Sequence, residues 1–239
     1  MSLSEDLKLR YARQIAVPEI GKEGQEKLCN AKILIIGCGA LGSMIAMQLS
    51  GAGIGEIGLA DYDTVDISNL QRQFFFKTDE AGISKVELIA KRIEEINPNV
   101  KVKKYSHLVT RKIAEEIFPL YDFIIDATDN PESKRMTGII SKEKEKACCI
   151  GGVRDFNGQV MTFLPSEPRF EDYFGEVTTD SILPCSLGGV MGPAAVLCAT
   201  VQASETIKFV TGTGDLLNRK LLVFNLLNNR FQLLNFSLT

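Results

Sequence analysis

The sequence of 239 residues has no tryptophan, a single histidine and no C-x-x-C pair, and the last two shortages narrow the field at once. The one histidine, His107, sits near the end of an expected strand, away from every motif described below, so a Ser-His-Asp hydrolase has no support. The six cysteines (29, 38, 148, 149, 185 and 198) lack the spacing of a disulfide framework, which points to a reducing cytoplasm. An excess of positive charge is missing too. Against 30 Asp+Glu there are 27 Lys+Arg, a net charge of −3, and a dedicated nucleic-acid binder is not expected. The opening Met1-Ser2-Leu3-Ser4-Glu5-Asp6 is polar and acidic, unlike a signal peptide. No internal repeat or low-complexity tract is visible. Charge is absent altogether from residues 33–55 and 181–204, each long enough to span a bilayer. Six glycines in the first stretch, and two prolines, three glycines and Gln202 in the second, fit buried elements of a soluble protein better.

What is present is a hydrophobic fraction of 45%, ample for one core, and a rhythm of strand and helix. Residues 4–14 and 20–30 read as amphipathic helices. Residues 32–36, Lys32 and then four apolar residues rich in isoleucine, are followed by glycine, as in a buried parallel strand. Helix is expected at 40–52, 84–97, 111–119 and 131–145, and strand at 56–60, 100–105, 123–125 and 147–152. Such alternation means βαβ units with right-handed crossovers. After Gly152 the rhythm changes to strands at 156–164, 220–225 and 229–235, with Asn228-Asn229 as a turn, and one long helix at 188–211. Between them, residues 165–183 form an acidic loop (Glu167, Glu171, Asp172, Glu176, Asp180) of a length that is usually functional. The fold class is therefore α/β: a Rossmann-like, mostly parallel sheet with helices on both faces, continued by an antiparallel C-terminal portion. One domain is expected over 1–239, with a nucleotide-binding half at 1–152 and a second half at 153–239.

Gly37-Cys38-Gly39-Ala40-Leu41-Gly42 is a G-x-G-x-x-G between an expected strand and helix, and Asp61 follows nineteen residues after Gly42. Glycines let phosphates approach a helix N-terminus, and an acid at the tip of the second strand accepts hydrogen bonds from ribose hydroxyls. This motif alone does not separate NAD from ATP. The next segment adds an amide, a guanidinium and an ammonium in Asn69, Arg72 and Lys85. That is more positive charge than a nicotinamide dinucleotide needs, and it suits a triphosphate and its departing pyrophosphate. Asp126-Ala127-Thr128-Asp129-Asn130 ends another strand at the same sheet edge. Asp129 there suits Mg²⁺ held through one carboxylate, Asp126 a structural role, and Asp129 or Asn130 the competing role of helix N-cap ahead of Pro131.

Arg10-Tyr11-Ala12-Arg13-Gln14-Ile15, the glycine motif, Asp61-x-Asp63, Ser68-Asn69-Leu70-Gln71-Arg72-Gln73, Lys85 and Thr128-Asp129-Asn130 occur in one order. Together they resemble the ThiF/MoeB/HesA family of ubiquitin-activating-type adenylyltransferases, over residues 10–209. The resemblance implies ATP-dependent adenylation of the C-terminal glycine of a ubiquitin-like sulfur-carrier protein ending in Gly-Gly, first for thiamine thiazole and next for molybdopterin synthesis. It assigns Asp61 to the ribose, Asn69, Arg72, Gln73 and Lys85 to the phosphates and Asp129 to Mg²⁺, with Asp63 beside them. It also implies a homodimer in which Arg13 reaches the partner's triphosphate, and a sulfur-donor protein. The second half of the chain would dock the carrier, with loop 165–183 over its tail. Cys185, before the Gly-Val-x-x-Pro helix entry, matches a cysteine that can join the carrier covalently; packing at the helix entry is the other reading. Many relatives hold a structural zinc through two C-x-x-C pairs, but 165–184 holds no cysteine and neither does Phe236-Ser237-Leu238-Thr239, so no zinc is expected. The rivals are a relative that adenylates a modified tRNA base or a small molecule, and an NAD(P)-binding oxidoreductase.

Overall fold

In β1 (Lys32–Ile36) the apolar residues after Lys32 are all buried, and their alternation decides the architecture. Ile33 and Ile35 face one apolar cluster, while Leu34 and Ile36 face another on the opposite side of the sheet. A strand covered on both faces requires helices on both faces. In the computed structural model, which describes residues 3–168, 172–173 and 189–236, this is the arrangement found.

The chain runs α1 (Glu5–Arg10), α2 (Ala12–Ile15), α3 (Gly21–Asn30), β1, α4 (Ala40–Ala52), β2 (Glu56–Ala60), α5 (Lys85–Ile96), β3 (Lys101–Tyr105), α6 (Arg111–Ile117), β4 (Phe123–Asp126), α7 (Pro131–Glu143), β5 (Ala147–Arg154), β6 (Asn157–Phe163), α8 (Gly192–Thr211), β7 (Lys220–Asn225) and β8 (Arg230–Asn235). One sheet of eight strands has the order β3-β2-β1-β4-β5-β6-β7-β8. The first five are parallel and the rest antiparallel, as the change of rhythm after Gly152 implied.

β1 pairs with β2 on one side, Ile33 opposite Ile57, and with β4 on the other, Ile33 opposite Phe123. The chain leaves β1 toward β2 and returns to the far side as β4. The carboxyl ends of β1 and β4 thus form the topological switch point, where doubly wound sheets open a crevice. On one face α3, α4, α5 and α8 cover Ile35, Ile57, Leu59 and Phe123; on the other α6 and α7 cover Leu34, Ile124 and Ile150. Each such aliphatic or aromatic side chain contributes about 1.5–3 kcal/mol on full burial.

Two expected helices are cut differently. The segment 4–14 breaks at Tyr11, which caps α1 and buries its ring, with its hydroxyl accepting a hydrogen bond from Asn97 Nδ2 at 2.8 Å. The helix expected from 188 begins at Gly192. Residues 189–191 are held extended beside β5: Asp155 N donates to Gly189 O (2.7 Å) and Met191 N to Asp155 O (3.0 Å), and Pro193 then stands in the first turn. The charge-free stretches lie mostly in β1, α4 and α8, and among the described residues no helix is long and apolar enough to cross a membrane.

Candidate functional site

The glycine loop sits at the switch point because only glycine fits there. Gly37 has φ +91°, and a Cβ on it would lie 3.0 Å from Ala127 O and 3.2 Å from Thr128 N, so the loop after β1 packs against the loop after β4. Gly39 caps α4 without a side-chain hydrogen bond. The N–H groups of the first turn of this 13-residue helix are therefore left for a ligand, and with the helix dipole they favour an anion.

Asp61, at the tip of β2, binds this loop directly. Its Oδ2 accepts from Cys38 N at 2.6 Å and its Oδ1 from Asp63 N at 2.9 Å. Each carboxylate oxygen keeps a lone pair for a ribose hydroxyl. Cys38 itself is fully buried, and burial, reinforced by the charge of Asp61, holds its thiol well above the usual range. It is a neutral packing group rather than a nucleophile.

Lys85 opens α5 and is only 5% exposed, an uncommon place for an ammonium group. A cation at the first turn of a helix also opposes the dipole. Asp63 compensates from two atoms: its Oδ2 lies 3.0 Å from Lys85 Nζ and its carbonyl accepts from Lys85 N at 3.1 Å. Asn69 ends a short 3-10 turn, 67–69, which Asp66 caps through Ser68 N, and Arg72 follows it, its N–H donating to Asn69 O at 3.1 Å. Arg72 Nη1 donates to Ser68 O at 3.0 Å. Gln73 is 4% exposed, its amide lies against Gly39, and its Oε1 has no protein partner among the described residues. A buried orphan acceptor next to the glycine loop is a polar group without its complement. The uncapped helix, the missing Cβ atoms and this orphan amide fit a nucleotide.

The two acids after β4 separate cleanly. Asp126 is fully buried and its carboxylate is saturated, accepting from Thr128 N (3.0 Å), Thr128 Oγ1 (2.7 Å), Ser133 Oγ (3.1 Å), Thr137 Oγ1 (2.9 Å) and Lys134 Nζ (3.2 Å). No lone pair remains for a metal. Asn130 is the N-cap of α7, accepting from Glu132 N at 2.8 Å. Asp129 is left exposed, with no hydrogen bond or ion pair to any described residue. Among the described residues no group of three or more His, Cys, Asp or Glu side chains assembles a metal cage. A lone carboxylate beside a phosphate site suits Mg²⁺, which takes its remaining ligands from phosphates and water.

Arg13 is not part of this cluster. It lies exposed on α2, whose next residue, Gln14, donates through Nε2 to Ala52 O at 3.0 Å. Ala52 ends α4, whereas the glycine loop begins it; thirteen helical residues separate them by about 20 Å. Within one chain Arg13 is out of reach of the phosphate site. Cys185, with most of loop 165–183, lies outside the described residues. His107 is exposed and makes an edge contact with Tyr105 just past the end of β3. A cavity of about 480 Å³ lies at the opposite, amino edge of the sheet, lined by Glu23, Glu26, Lys27, Asp122 and Phe209. None of the residues above borders it, and parallel sheets bind ligands at the carboxyl edge. Lys134 is the neighbour that motif spacing does not reveal: a lysine in the first turn of α7 reads as a surface cation, yet its side chain is only 14% exposed.

A glycine loop, a ribose-ready acid and a buried cation at the carboxyl edge of a doubly wound sheet define a nucleotide-binding protein of the α/β class. The particular family follows from comparison: the ThiF family profile matches residues 11–238, and the chain belongs to that family. It is 37% identical over 219 residues to the adenylyltransferase and sulfurtransferase MOCS3 of Dictyostelium discoideum, covering 90% of this chain and 52% of that protein. Against the probable molybdopterin-synthase adenylyltransferase of Gracilaria tenuistipitata var. liui it is 37% identical over 235 residues, covering 97% and 65%. The chain thus spans between half and two thirds of the length of these relatives. Among solved structures, that of PaaA superposes with a TM-score of 0.83 at 25% identity, covering 99% of this chain and 76% of that one.

Proposed function

We propose that this protein is an ATP-dependent adenylyltransferase acting on the C-terminal glycine carboxylate of a ubiquitin-like sulfur-carrier protein. The observation that carries the reading is the convergence at one sheet edge of the buried Lys85 ammonium on its half-exposed partner Asp63, the uncapped start of α4 and Asp129, which has no partner among the described residues. An ion-paired, desolvated ammonium is costly to keep and of little use to a nicotinamide cofactor, but it suits a triphosphate.

The incoming carboxylate is already ionised at neutral pH, so no strong general base is needed. It attacks the α-phosphorus, an acyl-adenylate forms and pyrophosphate leaves. The protein's share is placement and charge. Asp61 orients the ribose, the first turn of α4 receives phosphate oxygens, and Asn69, Arg72, Gln73 and Lys85 hold the departing pyrophosphate. Mg²⁺, held by Asp129, would supply neutralising charge at the phosphates. Arg13, whose neighbour Gln14 is hydrogen-bonded to the far end of α4 from the glycine loop, would complete the site of a second subunit in a homodimer.

Of the two sulfur carriers, the molybdopterin-synthase type is favoured over the thiazole type, because the Gracilaria relative is named for molybdopterin synthase and neither relative described is named for thiazole formation. Carrier-dependent ATP–pyrophosphate exchange with purified β-grasp proteins ending in Gly-Gly, from both pathways, tests the reading. Exchange with one carrier that disappears in Asp129→Ala supports it and selects the pathway. A folded dimer that binds ATP and exchanges with neither carrier sinks it.

A further inference from the structure

Three acceptors converge on Lys134 Nζ: Asp126 Oδ1 at 3.2 Å, Gly151 O at 2.7 Å and Thr128 O. These belong to three different segments: the end of β4, the middle of β5 and the loop that carries Asp129. Lys134 itself lies in the first turn of α7, where the helix dipole disfavours a cation. A lysine held there, with its side chain 14% exposed, is retained against both the dipole and its own desolvation.

The other contacts show what it fixes. Asp126 ties Thr128 on one side of Asp129 to Ser133 and Thr137 of α7 on the other. Asn130 closes the same turn by capping α7. From below, Gln202 of α8 donates to Asp126 O at 2.9 Å. The residues on both sides of Asp129 are thus bound, while its own side chain makes no hydrogen bond or ion pair to any described residue. Lys134 closes the network by joining the turn to β5.

We propose that Lys134 is a positioning residue: it locks the 127–130 turn against β5 so that the carboxylate of Asp129 is presented to a divalent cation at a fixed distance from the glycine loop. The proposal rests on the metal reading of Asp129. A group that orients a metal ligand typically alters metal affinity about 10- to 100-fold when removed.

The test uses the full chain and three variants: Lys134→Met, Thr137→Val and Asp129→Ala. Thr137→Val removes one hydrogen bond from Asp126 but leaves all three Lys134 acceptors in place. Two readouts are taken: Mn²⁺ binding followed by electron paramagnetic resonance in the presence of a non-hydrolysable ATP analogue, and amide hydrogen exchange at 128–130 in metal-free protein. In Lys134→Met, Mn²⁺ affinity is expected to fall about 10- to 100-fold and exchange at 128–130 to accelerate, with activity recovered at saturating Mg²⁺. Thr137→Val is expected to lower stability with metal affinity unchanged. Equal loss of stability in both variants with no metal shift in either overturns the positioning role and makes Lys134 a fold residue. Unchanged exchange at 128–130 in Lys134→Met overturns it as well. If instead Asp129→Ala binds Mn²⁺ as the parent does, the metal reading of Asp129 is what fails, and the proposal falls with it.

Discussion

Gly42 lies directly beneath the carbonyl of Gly37: a Cβ at position 42 would overlap that oxygen and stand 2.8 Å from the carbonyl carbon. The strand end and the first turn of α4 therefore touch backbone to backbone, and this contact would set the depth of the proposed anion site. Gly42→Ala should cost about 3 kcal/mol or more, because the obstacle is backbone that is hydrogen-bonded on both sides and has no room to shift. Gly51, nine residues along the same helix, meets nothing within 4 Å, so Gly51→Ala should stabilise by roughly 0.5–1 kcal/mol. Urea denaturation of both variants checks the contrast. Equal effects would mean that helix propensity, not the backbone contact, governs this loop.

The Lys85–Asp63 pair separates binding from stability. Lys85→Met removes the cation from the proposed pyrophosphate site and should lower carrier-dependent exchange at least about 100-fold. Its effect on stability should be small, since it also removes a buried charge. Asp63→Asn leaves that ammonium buried without its counter-charge. Asp63 is half exposed, so the cost is discounted to about 1–2 kcal/mol. Melting curves and exchange assays on the two variants should therefore rank them in opposite orders.

Asp126 and Asp129, three residues apart, should fail in different ways. Asp126→Asn disturbs a saturated buried carboxylate and leaves Lys134 without its charged partner, costing about 3 kcal/mol of stability. Asp129→Asn touches no internal contact and should be neutral in stability within about 0.5 kcal/mol while losing activity that high Mg²⁺ partly restores. Parallel thermal and Mg²⁺ titrations decide. A stable, active Asp126→Asn protein would contradict the structural role.

Alkaline pH should destabilise the protein through its thiols. Burial pushes Cys148 and Cys198 up to about 12, and raises Cys38 and Cys149 well above the normal thiol value. Unfolded thiols ionise near 8.5, so between about pH 9 and 12 the unfolded chain holds fewer protons than the folded one, and stability must fall as pH rises. Each thiol contributes a slope of up to about 1.4 kcal/mol per pH unit there and nothing below about pH 7.5. Unfolding curves at pH 7, 8, 9 and 10 should stay level at first and then drop steeply. The same four thiols should resist alkylation at pH 8 until denaturant is added.

The βαβ core was readable because its signals are local. The apolar run of 33–36, the glycines after it and the β2 segment place β1, α4 and β2 within a residue of their observed limits. Where distant contacts decide, local reading stops. The break at Tyr11 depends on Asn97, 86 residues away, and the late start of α8 depends on Asp155 holding 189–191 extended. At the site, spacing brings Asp61, Lys85 and Asp129 to one edge. It does not reveal that Asp63 braces Lys85 or that Lys134 turns inward, because whether a charge is solvated or buried is fixed by packing.

β5 has two allegiances. Through Ala147–Ile150 it bonds in parallel to β4, and from Cys148 to Arg154 it bonds antiparallel to β6. The residue at which the chain's rhythm changes, Gly152, therefore falls inside a strand instead of between two bodies. A break there would leave a raw strand edge on each fragment, each the natural template for the other, and pieces expressed separately would be expected to clump alone and to re-pair when mixed. Among the described residues there is no seam: the proposed nucleotide-binding half and the half that follows it are woven on the same warp.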